Sequence, residues 1–181
     1  MSARWPVEVE SPSPEATREL AGRLARLCGG GDVVLLVGDL GAGKTVFAQG
    51  FAAALGVAGP VTSPTFALVR HYRCGAGSPV GTLIHADVYR TGSLEEVTDL
   101  ALAELVEEDA VALVEWGDVA APALGQSVLE VGIDAPDPLR QPDRRVVAVR
   151  GRGRWAGRAE AVAAALGAAP TTSETAPRGA R

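Results

Sequence analysis

The sequence predicts an α/β fold with a mainly parallel central sheet, flanking helices and antiparallel edge strands. Three observations carry that expectation. Short apolar, β-branched runs alternate with segments of helical periodicity along most of the chain. One run, Val33-Val34-Leu35-Leu36-Val37, is apolar at every position, as a strand covered on both faces must be. The chain then closes with two strand-like runs, Ser127–Ile133 and Val146–Arg150, joined by the proline-bearing stretch Ala135–Gln141.

The elements follow in order. Val7-Glu8-Val9 reads as a short opening strand. Ser13-Pro14 starts a helix, because serine caps the first turn and proline there costs no hydrogen bond. Leu20, Leu24 and Leu27 share one face of that helix, and Gly29-Gly30-Gly31 ends it. After the buried strand, a glycine-rich turn from Gly38 to Gly43 leads into a helix that runs to about Leu55 and is closed by Gly56. Strands are expected at Phe66–Tyr72 and Thr82–Ala86, on either side of a turn at Gly75–Pro79. Ser93-Leu94-Glu95-Glu96 has the capping-box pattern and opens an acidic helix. Ala110–Val114 is another short apolar strand, and Ala156–Leu166 reads as a helix. The domain is placed at residues 1–155, with a short helix and a polar, disordered tail over 156–181.

A length of 181 residues suits one domain with a real core. No apolar run approaches the roughly 18 residues that span a membrane, and Met1 to Pro6 has no signal-type apolar stretch. Cys28 and Cys74 are too few for a disulfide scaffold and read as free thiols in a reducing cytoplasm. The net charge of −5 argues against an unaided grip on nucleic acid. Charge is uneven, however: residues 1–139 carry −11 and residues 140–181 carry +6. That basic end reads either as a surface near tRNA or as a solvated tail. The chain has no asparagine and a single lysine, Lys44; every other basic side chain of this type is arginine.

That lysine sits in Gly38-Asp39-Leu40-Gly41-Ala42-Gly43-Lys44-Thr45, which fits G-x-x-x-x-G-K-[ST] at every fixed position. Glycines let successive backbone N–H groups face a polyphosphate, and the following helix adds the positive end of its dipole. The lysine reaches the β- and γ-phosphates, and the threonine hydroxyl ligates Mg²⁺. A Mg-nucleotide site also needs a carboxylate at the end of a neighbouring strand. Val111–Trp116 supplies Glu115 and Thr82–Asp87 supplies Asp87; the sequence does not rank the two. His85 reads as a packed histidine before it reads as a base. Val61-Thr62-Ser63-Pro64-Thr65-Phe66 lies where phosphate-loop proteins place a nucleotide-sensing segment, although a polar turn is the plainer reading. Without asparagine the Asn-Lys-x-Asp guanine reader of GTPases is absent. A small-metabolite kinase stays open, with Arg70, Arg73 and Arg90 available but no lid-like insertion. So does a binding module switched by ATP without turnover.

Taken together and in order, these segments resemble the TsaE (YjeE) family, P-loop NTPase-like ATPases of bacterial tRNA threonylcarbamoyladenosine (t6A) synthesis. The residues that carry the resemblance are the phosphate loop, Val61–Phe66 with Leu68-Val69 and Tyr72, His85-x-Asp87-x-Tyr89-Arg90, Glu95-Glu96 and Leu113-Val114-Glu115-Trp116. It covers about residues 5 to 153. It implies that Thr45 and Glu115 hold Mg²⁺ and that ATP is held by Lys44 and the loop, Asp39, Leu40, Gly41, Ala42, Gly43, Thr45 and Val46. It further implies that Thr62, Thr65, Asp87 and Trp116 belong to the site, with Lys44, Asp87 and Glu115 in catalytic roles. The implied activity is slow ATP hydrolysis while docked on TsaD and TsaB, with tRNA met indirectly and threonylcarbamoyl transfer left to TsaD. Val46 departs from a common second threonine, and Ala101 from a common glycine.

Overall fold

The structure, a computed structural model, describes residues 3–64, 69–88, 109–115 and 127–168. In chain order they form β1 (Val7–Ser11), α1 (Pro14–Ala25), β2 (Val33–Val37), α2 (Lys44–Ala54), β3 (Val69–Arg73), β4 (Thr82–Asp87), β5 (Ala110–Glu115), β6 (Val128–Asp134) and β7 (Arg145–Gly151). A 3-10 turn at Gly153–Arg158 then leads into α3 (Ala159–Leu166). The acidic helix expected from Ser93, Phe66–Leu68 of the expected third strand, and the tail from 169 onward lie outside the described residues.

The strands form one sheet in the order β1-β7-β6-β2-β5-β4-β3. Its centre, β6-β2-β5-β4, is parallel, with Val33 opposite both Ala112 and Val128, and Asp87 opposite Glu115. Antiparallel strands complete both sides: β3 on β4, β7 on β6, and β1 on β7. This is the predicted architecture, with one addition. The closing pair enters beside β2, so β6 is a central strand and β1 takes the edge outside β7.

Burial follows position in the sheet. All six residues of β5 are buried, while β3 on the margin has none buried. Ser13 caps α1, its Oγ accepting from the Ala16 amide at 3.2 Å, and Pro14 occupies the first turn. The inner face of α1 presents Ala21, Gly22 and Ala25 between Leu20 and Leu24. These small residues let α2 approach closely: a methyl at Gly50 of α2 would stand 2.3 Å from the Arg18 carbonyl oxygen of α1. Phe47 and Phe51 of α2 fill the core above β2. Trp155, Val162 and Leu166 belong to the same apolar cluster, so packing continues through α3 to Leu166.

A buried carboxylate anchors that C-terminal segment. Asp32, at the entry to β2, accepts from Arg154 Nε, Trp155 Nε1 and the Gly29 amide, each at 2.7 Å. Arg158 stacks 4.0 Å over the Trp155 ring and donates to the Leu27 carbonyl. Arg144 pairs with Glu10 and Arg152 with Glu130. Much of the basic stretch after residue 140 is therefore engaged within this protein. Among the described residues, no helix is long and apolar enough to cross a membrane.

Candidate functional site

Lys44, Thr45, Asp87 and Glu115 lie beyond the carboxyl ends of β2, β4 and β5, where open parallel sheets bind ligands. Leaving β2, the chain turns at Gly38 with φ +150°, and a Cβ there would lie 2.3 Å from the Ile133 carbonyl oxygen of β6. Gly43, at φ +108°, occupies the residue before α2 in the left-handed region. It offers no side-chain cap, and the first turn of α2 carries no acidic residue. The contrast with α1 is plain. There Ser13 caps the helix, and hydrogen bonds from its backbone and from Ser13 lower the pKa of Glu15. The positive end of α2 is left for an anion.

Lys44 is buried, and its Nζ donates to the carbonyls of Gly38 at 2.6 Å and Asp39 at 2.9 Å. Thr45 Oγ1 stands 3.4 and 3.5 Å from the two Glu115 carboxylate oxygens. Glu115, buried at the end of β5, also meets His85 Nε2 at 3.0 Å through Oε1. Asp87, at the end of β4, accepts from Ser63 Oγ at 2.7 Å. The 61–64 segment therefore reaches the site through Ser63, while Thr62 is exposed. Gln49 of α2 holds that segment by donating to the Val61 carbonyl at 3.3 Å. Asp39, Leu40 and Gly41 form an exposed tip, with Leu40 84% accessible, and Ala42 is buried. Val46 is half-buried in a small cleft with Pro14, Thr17, Gly43, Asp143 and Arg145. Thr65 and Trp116 lie outside the described residues, as does Arg90.

These groups suit a hard divalent cation beside phosphate. Two buried carboxylates end adjacent strands in register, and a hydroxyl touches one of them. Among the described residues, no three His, Cys, Asp or Glu side chains are grouped to enclose a metal. The carboxylate and hydroxyl oxygens are hard donors of the kind Mg²⁺ takes, one or two from protein with phosphate and water filling its shell. Size alone does not mark the site. Open clefts of about 500 Å³ between α1 and α2, and about 540 Å³ beside Trp5, contain none of these residues.

Three contributors had no contact assigned to them from the sequence. Ser63 was one hydroxyl in a polar turn. His85 carried no signal for its contact with Glu115. Arg145 lies 101 positions after Lys44, yet its Nε donates to the Ala42 carbonyl at 2.7 Å. One arginine in an arginine-rich stretch gave no reason to choose it.

A family model described as threonylcarbamoyl adenosine biosynthesis protein TsaE matches residues 11–145. The chain belongs to the TsaE family. Every sequence-predicted site residue, from Asp39 to Trp116, falls inside the TsaE match. The chain is 44% identical over 142 residues to the tRNA threonylcarbamoyladenosine biosynthesis protein TsaE of Streptomyces coelicolor, covering 77% of this chain and 93% of that protein. To the protein of the same name in Bacillus subtilis it is 42% identical over 121 residues, 67% of this chain and 73% of that one. The crystal structure of Bacillus subtilis YdiB superposes with a TM-score of 0.67 at 31% identity, covering 90% of this chain and 94% of YdiB.

Proposed function

We propose that this chain binds ATP with Mg²⁺ and hydrolyses it slowly in support of tRNA t6A formation, acting with TsaD and TsaB. The observation that carries the reading is the convergence of Lys44, Thr45 and Glu115 on the uncapped start of α2. Lys44 and the loop amides offset the charge of the β- and γ-phosphates, the largest contribution expected in phosphoryl transfer. Thr45 and Glu115 would hold Mg²⁺, whose charge would offset that of the phosphates. His85 Nε2 fixes the Glu115 carboxylate through its contact with Oε1. Asp87, with Ser63, orients the attacking water or links the 61–64 segment to it. Thr62, Thr65, Val46 and Trp116 are assigned to the nucleotide region on the family resemblance. The names of the relatives support the t6A role. Net acidity and the internal pairing of the basic stretch support a contact with tRNA made through partners. A cytoplasmic location follows from that role.

The test is ATP consumption by the purified chain, alone and with TsaD and TsaB. Release of ADP and phosphate, stimulated by the pair and without a phosphorylated acceptor, is the expected result. A phosphorylated small metabolite would establish the kinase instead. An ATP-binding, hydrolysis-dead variant that sustains repeated tRNA modification would establish the switch module. Lys44→Ala should abolish nucleotide binding, and unchanged affinity would refute the site. Glu115→Ala should cut hydrolysis far more than Mg-free binding; if neither changes, the metal role passes to Asp87.

A further inference from the structure

We infer that Arg145 is a positioning residue that sets the phosphate loop to receive a polyphosphate. The inference rests on the nucleotide reading above. Packing does little to hold the outer half of the loop. Leu40 is largely in solvent, and nothing lies within 4 Å of where a Cβ on Gly41 would be. Beside the turn bond from the Ala42 amide to the Asp39 carbonyl at 3.1 Å, two cations hold the loop from opposite ends. Lys44 takes the carbonyls of Gly38 and Asp39. Arg145, the first residue of β7, takes those of Ala42 through Nε at 2.7 Å and Gly41 through Nη2 at 3.5 Å.

The stereochemical consequence follows from the peptide plane. In a trans peptide the C=O and the next N–H point in opposite directions. Fixing the Ala42 carbonyl toward Arg145 therefore turns the Gly43 N–H away from it, and removes a carbonyl oxygen that would repel phosphate. The guanidinium is itself fixed, because Nη1 donates to the carbonyls of Pro142 at 2.6 Å and Arg144 at 2.8 Å. Its position is thus set by the β7 entry, as preorganisation requires. A planar fork serves carbonyls on both sides, whereas a lysine ammonium at the end of a single stem does not. The basic stretch read as a solvated tail or tRNA surface thus places one arginine at the nucleotide loop.

The experiment compares the full chain with Arg145→Ala and Arg145→Lys. Affinities for ATP and for inorganic tripolyphosphate are measured by calorimetry, and hydrogen exchange of the 38–45 segment is followed without nucleotide. Arg145→Ala should weaken both ligands alike by roughly tenfold or more, as loss of charge-assisted hydrogen bonds predicts, and should speed loop exchange. Arg145→Lys keeps the charge and should recover little of either, while millimolar guanidinium should partly rescue Arg145→Ala. If the alanine variant does not fold, the lysine variant carries the comparison. Full affinity and unchanged exchange in Arg145→Lys would overturn the inference, as would wild-type behaviour of Arg145→Ala. Failure of the wild-type chain to bind either ligand would instead defeat the nucleotide reading.

Discussion

Gly50→Ala sets two effects of opposite sign against each other. Alanine is the best helix former, and in an isolated helix the change stabilises by about 1 kcal/mol. In this protein the new methyl would stand 2.3 Å from the Arg18 carbonyl oxygen and 2.4 Å from its Cα. Both are backbone atoms of α1, so no rotamer change relieves the overlap. Restoring a contact of 3.4 Å requires the two helices to part by about 1 Å. Overpacking of this kind costs about 1–3 kcal/mol, and moving a whole helix belongs at the upper end. The steric effect wins, leaving a net loss of about 1–2 kcal/mol. For a chain of this size the melting temperature should fall by roughly 2–8 °C. Because α2 begins with Lys44 and Thr45, the displacement reaches the site, where misplacement by about 1 Å costs up to 10²-fold in rate. Urea denaturation gives the stability, and ATP turnover well below the melting temperature gives the rate. Gly22→Ala is the graded control, its methyl meeting the Ala54 Cβ at 3.2 Å and the Gly50 carbonyl oxygen at 3.6 Å, and it should be milder. A Gly50→Ala protein as stable as the parent would refute the argument, because helix propensity would then have outweighed the close approach.

Trp155→Phe keeps most of the buried ring but removes the Nε1–H that Asp32 accepts at 2.7 Å. It should cost about 1–3 kcal/mol, read as a lower melting temperature. Turnover per folded molecule should not change, since Asp32 lies at the opposite end of β2 from Gly38; an unchanged melting temperature would remove the anchor from consideration. Burial raises the pKa of the Cys28 thiol, and the Asp32 carboxylate raises it further. The folded chain therefore keeps a proton that the unfolded chain releases near the ordinary value of 9.0. Stability should be unaffected by this group below that pH and should fall as pH rises above it. Urea midpoints across that range should decline more steeply for the parent than for Cys28→Ala, and parallel declines would count against the assignment.

What the sequence made legible depended on how local the signal was. The Ser13 cap, the wholly apolar β2 and the glycines of the phosphate loop each act within a few residues, and each could be read directly. Glu115 and Asp87 were found because both end apolar strands; that they stand opposite each other required the β4–β5 pairing. Arg145, His85 and Asp32 were not readable as they function. Their partners are 103, 30 and up to 123 positions away, and nothing in an arginine, histidine or aspartate announces which distant atom it will meet. The placement of β6 beside β2 was missed for the same reason. A closing pair of strands looks identical in sequence whether it extends an edge or enters the middle of a sheet.

The position of β2 also has a consequence for the order in which the protein can be made. Both of its neighbours, β5 and β6, are synthesised long after it. When α2 first leaves the ribosome, every residue of the phosphate loop is present, but the strand beneath it has no partner on either side. The Ile133 carbonyl against Gly38 and the guanidinium beside Ala42 arrive about a hundred residues later. The nascent chain must therefore carry an unpaired, wholly apolar strand until β5 (Ala110–Glu115) has been made, the kind of segment that favours early association with other chains. The phosphate loop precedes α2, yet the site is completed only when β7, the last described strand of the sheet, is in place.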